Sequence, residues 1–213
     1  MRAISLFLVA FFLGVASIFA GTIETGFIEG PWPKQRVQEL EVGRYPVRWR
    51  YYASKHDGIF AGVRFDAPLP RQAAWELSNE YQEIGQKIPG VKAVRYLEQS
   101  PTREVVQLDV KVLGKRLTLT FEVEKEPPRM IRFRLVNEAV GEYRGVCVYE
   151  ERPAGGAGAH QGGTTMALST WLKPARPVPM RLLLIVERIA LLQGAREFLE
   201  RCDEKLKEHG ARP

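Results

Sequence analysis

Three consecutive stretches in the middle of the chain alternate apolar and polar side chains with a period of two, and nothing else in the sequence restricts the fold as strongly. In REVVQLDVKVL, Val106, Leu108, Val110 and Val112 point one way while Gln107, Asp109 and Lys111 point the other. After a turn signal at Gly114-Lys115, Leu117, Leu119, Phe121 and Val123 oppose Thr118, Thr120, Glu122 and Glu124. Beyond Pro127-Pro128, Ile131, Phe133 and Leu135 oppose Arg132 and Arg134. Three strands with one wet face each, joined by short turns, predict an antiparallel meander whose other face needs an apolar cover.

The natural cover is the longest helical signal in the chain, Met180 to Lys207. Stepped at 100° per residue, Leu184, Leu191, Leu192, Ala195, Phe198, Leu199, Cys202 and Leu206 fall on one stripe. The first turns (MRLLLIVERIALL) are apolar almost all round, more than one sheet contact requires, so a second protein element or a ligand is expected against the excess. Upstream, VRWRYY and IFAGVRF flank a turn at Asp57-Gly58 and read as two strands, the second ending near Asp66 before Pro68 and Pro70. AAWELSNEYQEIGQKI, with Trp75, Leu77, Tyr81, Ile84 and Ile88 at helical spacing, predicts one or two short helices closed by Pro89-Gly90. Tyr143–Arg152 and Gly163–Leu172 predict a further strand pair across the Gly-rich PAGGAGAHQGG. Those glycines lack the spacing, the Lys-Ser/Thr ending and the following helix of a phosphate cradle, so the segment reads as a hairpin loop.

Composition narrows the class. With 213 residues, 45% hydrophobic and 26% charged, the chain has the balance of a single globular domain, which excludes collagen, extended disorder and a polytopic membrane protein. Lys+Arg exceed Asp+Glu by 31 to 25, a surplus spread along the chain that predicts a soluble surface and no nucleic-acid partner. At the N-terminus, Met1-Arg2 precedes the uncharged run Ile4–Ala20, which ends in small residues. This reads as a signal peptide over residues 1–20, or as an uncleaved membrane anchor, since about 17 apolar residues reach the lower limit of a span. Either reading places the rest of the protein outside the cytoplasm, in the periplasm or the extracellular space. Residues 21–44 read as an extended lead-in, 45–207 as the folded domain and 208–213 as a tail.

Strand, two short helices, a meander of about six strands and a long C-terminal helix resemble the helix-grip fold of the START-like (SRPBCC) superfamily. The strings FDAPLPRQAAWELSNEYQEIGQKIPGVKAVRYLE and LKPARPVPMRLLLIVERIALLQGAREFLERC resemble that superfamily's opening and its C-terminal helix, and the likeness runs over residues 57–207. It implies an α+β protein in which a curved antiparallel sheet of about six to seven strands wraps the helix. Polyketide cyclases and coenzyme-Q-binding START-type proteins belong to the same group, so the implied function is binding or carriage of a lipid, isoprenoid quinone or polyketide-like molecule. A cyclase- or dehydrase-type enzyme using the same cavity, or a surface-interaction module at the membrane, are the alternatives.

The residues expected to line such a cavity are Trp75, Tyr81, Tyr96, Phe121, Phe133, Tyr143, Trp171, Leu184 and Leu191, with Arg188 as a polar anchor. Arg188 falls inside the apolar stripe of the last helix, between Leu184 and Leu191, where a charge must be paired, snorkel outward or meet a ligand's polar group. The three histidines, His56, His160 and His209, lie in turns, the Gly-rich loop and the tail, so neither a metal site nor a cofactor is expected. No Ser or Cys with a partner base marks a nucleophile, which leans against an enzyme of that type. Cys147 and Cys202 are either two separate buried thiols or one bridge between sheet and helix, worth about 3 to 4 kcal/mol on the chain-entropy model. Arg44, Arg48, Arg50, Arg129, Arg132, Arg134, Arg176 and Arg181 make either a solvated charged face or a patch for anionic lipid head groups.

Overall fold

A computed structural model describes residues 35–80, 91–112, 115–137, 141–152 and 162–208. The strands are β1 (Arg36–Val42), β2 (Tyr45–Ser54), β3 (Gly58–Ala67), β4 (Val91–Gln99), β5 (Arg103–Val112), β6 (Lys115–Glu126), β7 (Met130–Leu135), β8 (Gly141–Arg152) and β9 (Gly163–Pro174). The helices among the described residues are α1 (Arg71–Ser78) and α2 (Met180–Glu208). All nine strands among the described residues join one antiparallel sheet in the order β1-β2-β3-β9-β8-β7-β6-β5-β4. The sheet is curved and unclosed, with β1 and β4 at its edges, and α2 lies against its concave face.

Nine strands exceed the six or seven expected, and the surplus has a physical cause. Strand β1 falls inside the stretch read as an extended lead-in. It is largely exposed, so its sequence carries no apolar alternation to betray it. Strand β4, at the other edge, is also mostly exposed, and two register irregularities against β5 break its period. Between the edges the alternation is obeyed. Val106 faces Phe121, Leu108 faces Leu119 and Val123 faces Phe133 across consecutive pairs, all on the concave side. The convex side carries a chain of ion pairs in which Arg103 bridges Glu98 (2.8 Å) and Glu122 (3.1 Å), and Arg134 joins Glu122 from β7. Exposed pairs of this kind add only about 0.2–1 kcal/mol each, so their main effect is to keep that face wet.

Helix α2 packs chiefly on β3, then on β2 and β1. Ala61 on β3 and Ala190, Gly194 and Ala195 on the helix are buried small residues that let the two elements approach closely. Further along, Phe65 meets Phe198 at 6.1 Å between ring centroids, and Leu199 and Cys202 are fully covered. Each fully buried side chain of this size contributes roughly 1.5–3 kcal/mol relative to exposure. The far end of the helix is tied to the β1–β2 turn, where Arg44 and Tyr45 both donate to Asp203. That turn needs Gly43, whose φ of 62° lies in the left-handed region.

Helix α1 starts at Arg71 behind Pro70, whose carbonyl accepts from the Ala74 amide at 2.9 Å. Its continuation toward Pro89, expected as a second short helix, lies outside the described residues, as do the N-terminal segment 1–34, most of the Gly-rich loop and the tail 209–213. Strands β8 and β9 on either side of that loop do pair, down to Arg152 opposite Gly163. Cys147 and Cys202 are free thiols, and burial raises both pKa values, that of Cys147 to about 12.

Candidate ligand site on the concave face

Helix α2 covers the β1–β3 side of the sheet most closely, while the concave face of β5 to β8 presents a continuous apolar wall. Val106, Leu108, Val110, Phe121, Val123, Ile131, Phe133, Tyr143 and Tyr149 are buried there. Tyr143 is the centre of an aromatic group, with ring centroids 6.3 Å from Phe121 and 5.8 Å from Phe133. Gly145, opposite Phe133 in the register, makes room for it. A Cβ at Gly145 would stand 2.4 Å from the Phe133 ring and 2.5 Å from the Ser169 carbonyl oxygen.

Into this wall the fold introduces a small polar group shared by three elements: Tyr143 on β8, Thr170 on β9 and Glu187 on α2. Glu187 is only 2% exposed, and burial pushes its carboxyl up to about 7, a rise that the Thr170 hydroxyl partly opposes. Thr170 Oγ1 lies 3.1 Å from Glu187 Oε2 and 3.4 Å from the Ala61 carbonyl oxygen. One hydroxyl hydrogen cannot serve two acceptors at once. A protonated Glu187 resolves the conflict by donating to Thr170, which then donates to Ala61. The Tyr143 phenol is held well above its usual 10, first by burial and then by the Glu187 charge, with the nearby Thr170 hydroxyl opposing the rise, so it stays an O–H donor. Its oxygen is buried and has no hydrogen-bond partner among the described residues.

A second polar group joins β5 and β6 on the concave face. Lys125 donates to Glu104 at 2.6 Å with side-chain exposures of 9% and 4%, and Glu104 Oε2 is buried without a hydrogen-bond partner among the described residues. Tyr96 on β4 is held near 12 by burial and by the Glu104 charge. On β8, Tyr149 meets Trp75 of α1 edge-on at 5.2 Å, and the Tyr149 hydroxyl donates to Ser78 Oγ at 2.7 Å.

The model of the family described as polyketide cyclase / dehydrase and lipid transport matches residues 67–198, well over half of the chain. The chain belongs to this family. Among solved structures it resembles the aromatase/cyclase Zhui from Streptomyces sp. R1128, at 19% identity and a TM-score of 0.57, with 72% of this chain and 98% of that one covered. It also resembles a STAR-related lipid transfer protein from Xanthomonas axonopodis, at 12% identity and a TM-score of 0.59, covering 79% and 99%. Human STARD10 aligns at 8% identity and a TM-score of 0.58, covering 82% and 76%. No curated protein sequence matches the chain. The fold is the START-type helix grip.

Within this member of the polyketide cyclase / dehydrase and lipid transport family, the structure gathers some of the expected cavity residues and separates others. Phe121, Phe133 and Tyr143 form one aromatic group, Tyr96 stands opposite Val106 on the neighbouring edge strand, Trp75 packs on Tyr149, and on α2 Leu191 is buried and Leu184 half-buried. Tyr81 lies outside the described residues. Trp171 is on the convex face, opposite Phe60 in the register. There its indole N–H donates to the Asp57 carbonyl at 2.6 Å and its ring lies 4.2 Å from the Arg144 guanidinium. Strand β9 is buried on both faces, so its sequence has no alternation from which the side of Trp171 is legible.

Arg188 is exposed, and it is its neighbour Glu187, a carboxyl, that is buried under the helix. Stepping from Leu184 puts Arg188 at about +40° and Glu187 at about −60°. The first half of α2 buries Val186, Glu187 and Ala190, all on the negative side of that line. The second half buries Ala195, Phe198, Leu199 and Cys202, centred near the line itself. A single averaged stripe blurs this drift. Of the scattered arginines, Arg44, Arg48, Arg132 and Arg134 are ion-paired with Asp203, Glu39, Glu126 and Glu122. Among the described residues no group of three or more His, Cys, Asp or Glu is placed to hold a metal, and no helix is long and apolar enough to cross a membrane.

Proposed function

We propose that this protein binds a hydrophobic small molecule between the concave wall of β5–β8 and helix α2. The observation that carries the reading is the Tyr143 hydroxyl, buried without a partner among the described residues in an otherwise apolar, aromatic wall. A buried donor left unpaired costs about 1–3 kcal/mol, which a ligand atom arriving there recovers. Sites for small apolar molecules combine a greasy lining with a few oriented polar groups, and Tyr143, Thr170 and Glu187 are such a set. Membership in a family described by lipid transport as well as cyclisation supports the same reading.

A second reading rests on the same group. A carboxyl near 7 beside a phenol is a pair able to exchange protons with a bound chain, which favours a cyclase- or dehydrase-type step. Native mass spectrometry of protein purified without detergent, followed by organic extraction, separates these readings. A stoichiometric apolar molecule released unchanged supports carriage, and a product differing from the molecule supplied supports catalysis. A mass equal to the bare chain after exposure to mixed lipids and quinones overturns both.

The proposal includes exchange with a bilayer, in the exported compartment expected from Ile4–Ala20. Around the start of α2, Leu182 and Ile185 are about half exposed, ringed by the exposed cations Lys173, Arg176, Arg181 and Arg188. Apolar residues inside a cationic ring suit an anionic membrane surface, each cation adding about 1 kcal/mol.

A further inference from the structure

We infer that the ligand's polar end is an uncharged oxygen, a hydroxyl or a carbonyl, seated between the Tyr143 hydroxyl and the Glu187 carboxyl. This deepens the binding reading above and rests on it. The inference comes from which charges the fold brings to that end of the concave face and which it sends elsewhere.

An anionic end group, carboxylate or phosphate, needs a cation. Arg144 is turned to the convex face over Trp171, and Arg188 and Lys173 are exposed. Lys125 is on the concave face but level with Cys147 of β8 rather than with Tyr143, and it is already engaged by Glu104. What an anion would meet instead is Glu187, the acidic residue buried beneath α2. Desolvating an anion next to a carboxyl, with no counter-charge among the described residues, is strongly unfavourable.

A cationic amine is refused for the opposite reason. The unpartnered group is an O–H, and its hydrogen requires an acceptor, which an ammonium lacks. Pairing with an amine would also ionise Glu187. The carboxylate would then compete with the Ala61 carbonyl for the one hydrogen of Thr170. A neutral oxygen satisfies the site as it stands. It accepts from Tyr143, and a hydroxyl additionally donates to the Glu187 oxygen that Thr170 does not use. The apolar remainder of the molecule lies along Phe121, Phe133 and Val123.

The test is displacement of a fluorescent apolar probe from the full-length protein by four molecules with one chain and different ends: dodecanol, 2-dodecanone, dodecanoate and dodecylammonium. In the unaltered protein the alcohol and the ketone are expected to bind about tenfold more tightly than either charged member, the value of roughly one hydrogen bond. In Tyr143→Phe, which keeps the ring and removes only the hydroxyl, that advantage should shrink about tenfold for both neutral ligands. Equal or tighter binding of dodecanoate or dodecylammonium overturns the inference and leaves the hydrophobic-ligand reading standing. So does a Tyr143→Phe protein that keeps the full preference. If none of the four displaces the probe, or the probe itself does not bind, the hydrophobic-ligand reading fails, and the inference falls with it. The comparison of ligands on the unaltered protein stands whether or not the variant folds.

Discussion

Replacing Glu187 by Gln is the most direct probe of the group beneath α2, and its effect on stability can be worked out with its sign. In the folded protein the carboxyl is raised from 4.5 to about 7 by burial. The folded state therefore holds this proton more tightly than the unfolded chain. Stability contributed by the neutral form is complete below about 4.5, is lost as pH rises toward 7, and does not return above it. A rise of this size corresponds to up to about 3 kcal/mol, since one pKa unit is about 1.4 kcal/mol.

Glutamine has the same shape, never ionises, and its amide N–H₂ can donate to Thr170 Oγ1 as the protonated acid does. Urea unfolding followed by tryptophan fluorescence, at steps from about pH 5 to pH 9, should show the two proteins nearly equal at the acid end. By about pH 8 the variant should be the more stable by up to about 3 kcal/mol. All other titrations are common to both proteins and cancel in the difference. A difference that stays flat with pH, or a variant that is less stable at pH 8, would refute the assignment of a buried, uncompensated carboxyl.

Lys125→Met strands Glu104 as a buried unpaired charge and should cost about 3–5 kcal/mol in the same assay, whereas Glu104→Leu combined with Lys125→Met should recover most of that loss. Gly145→Ala puts a methyl 2.4 Å from the Phe133 ring and 2.5 Å from a backbone oxygen. It should cost about 1–3 kcal/mol and alter the near-UV circular dichroism of the Tyr143 group, and an unchanged spectrum at full stability would contradict the packing described. Leu182→Glu with Ile185→Glu alters side chains about half exposed, so folding should be unaffected. Co-sedimentation with phosphatidylglycerol vesicles should drop by at least tenfold, and undiminished binding would remove the membrane surface from the proposal.

How much of this the sequence disclosed depended on whether a residue's neighbours differ on its two sides. Strands β5, β6 and β7 have one dry and one wet face, so Phe121 and Phe133 could be assigned to the concave wall from period-two alternation alone. Where both faces are covered, as in β9, or neither is, as in β1, the alternation disappears, and with it the side of Trp171 and the existence of the first strand. Glu187 was hidden differently. In MRLLLIVERIALL two opposite charges are adjacent, and choosing the buried one requires knowing how α2 rolls across the sheet, which is a tertiary fact. Glu104 and Lys125 each look like ordinary strand charges. Only the pairing of β5 with β6 places them diagonally on the dry face, close enough to neutralise one another.

The order of strands carries a consequence for synthesis. Neighbours in the sheet are neighbours in sequence everywhere except at the join of β3 with β9. Most hairpins can thus zip as the chain emerges, but β3 waits with an open edge until β9 has been made. Helix α2, whose main footing is also β3, is made later still. A chain stalled before Met180 therefore presents an uncovered apolar surface and, if stalled before Gly163, a bare strand edge as well, the two features that most readily recruit other chains. The elements translated after β8 are thus the ones that cover the open edge and the apolar face of the sheet.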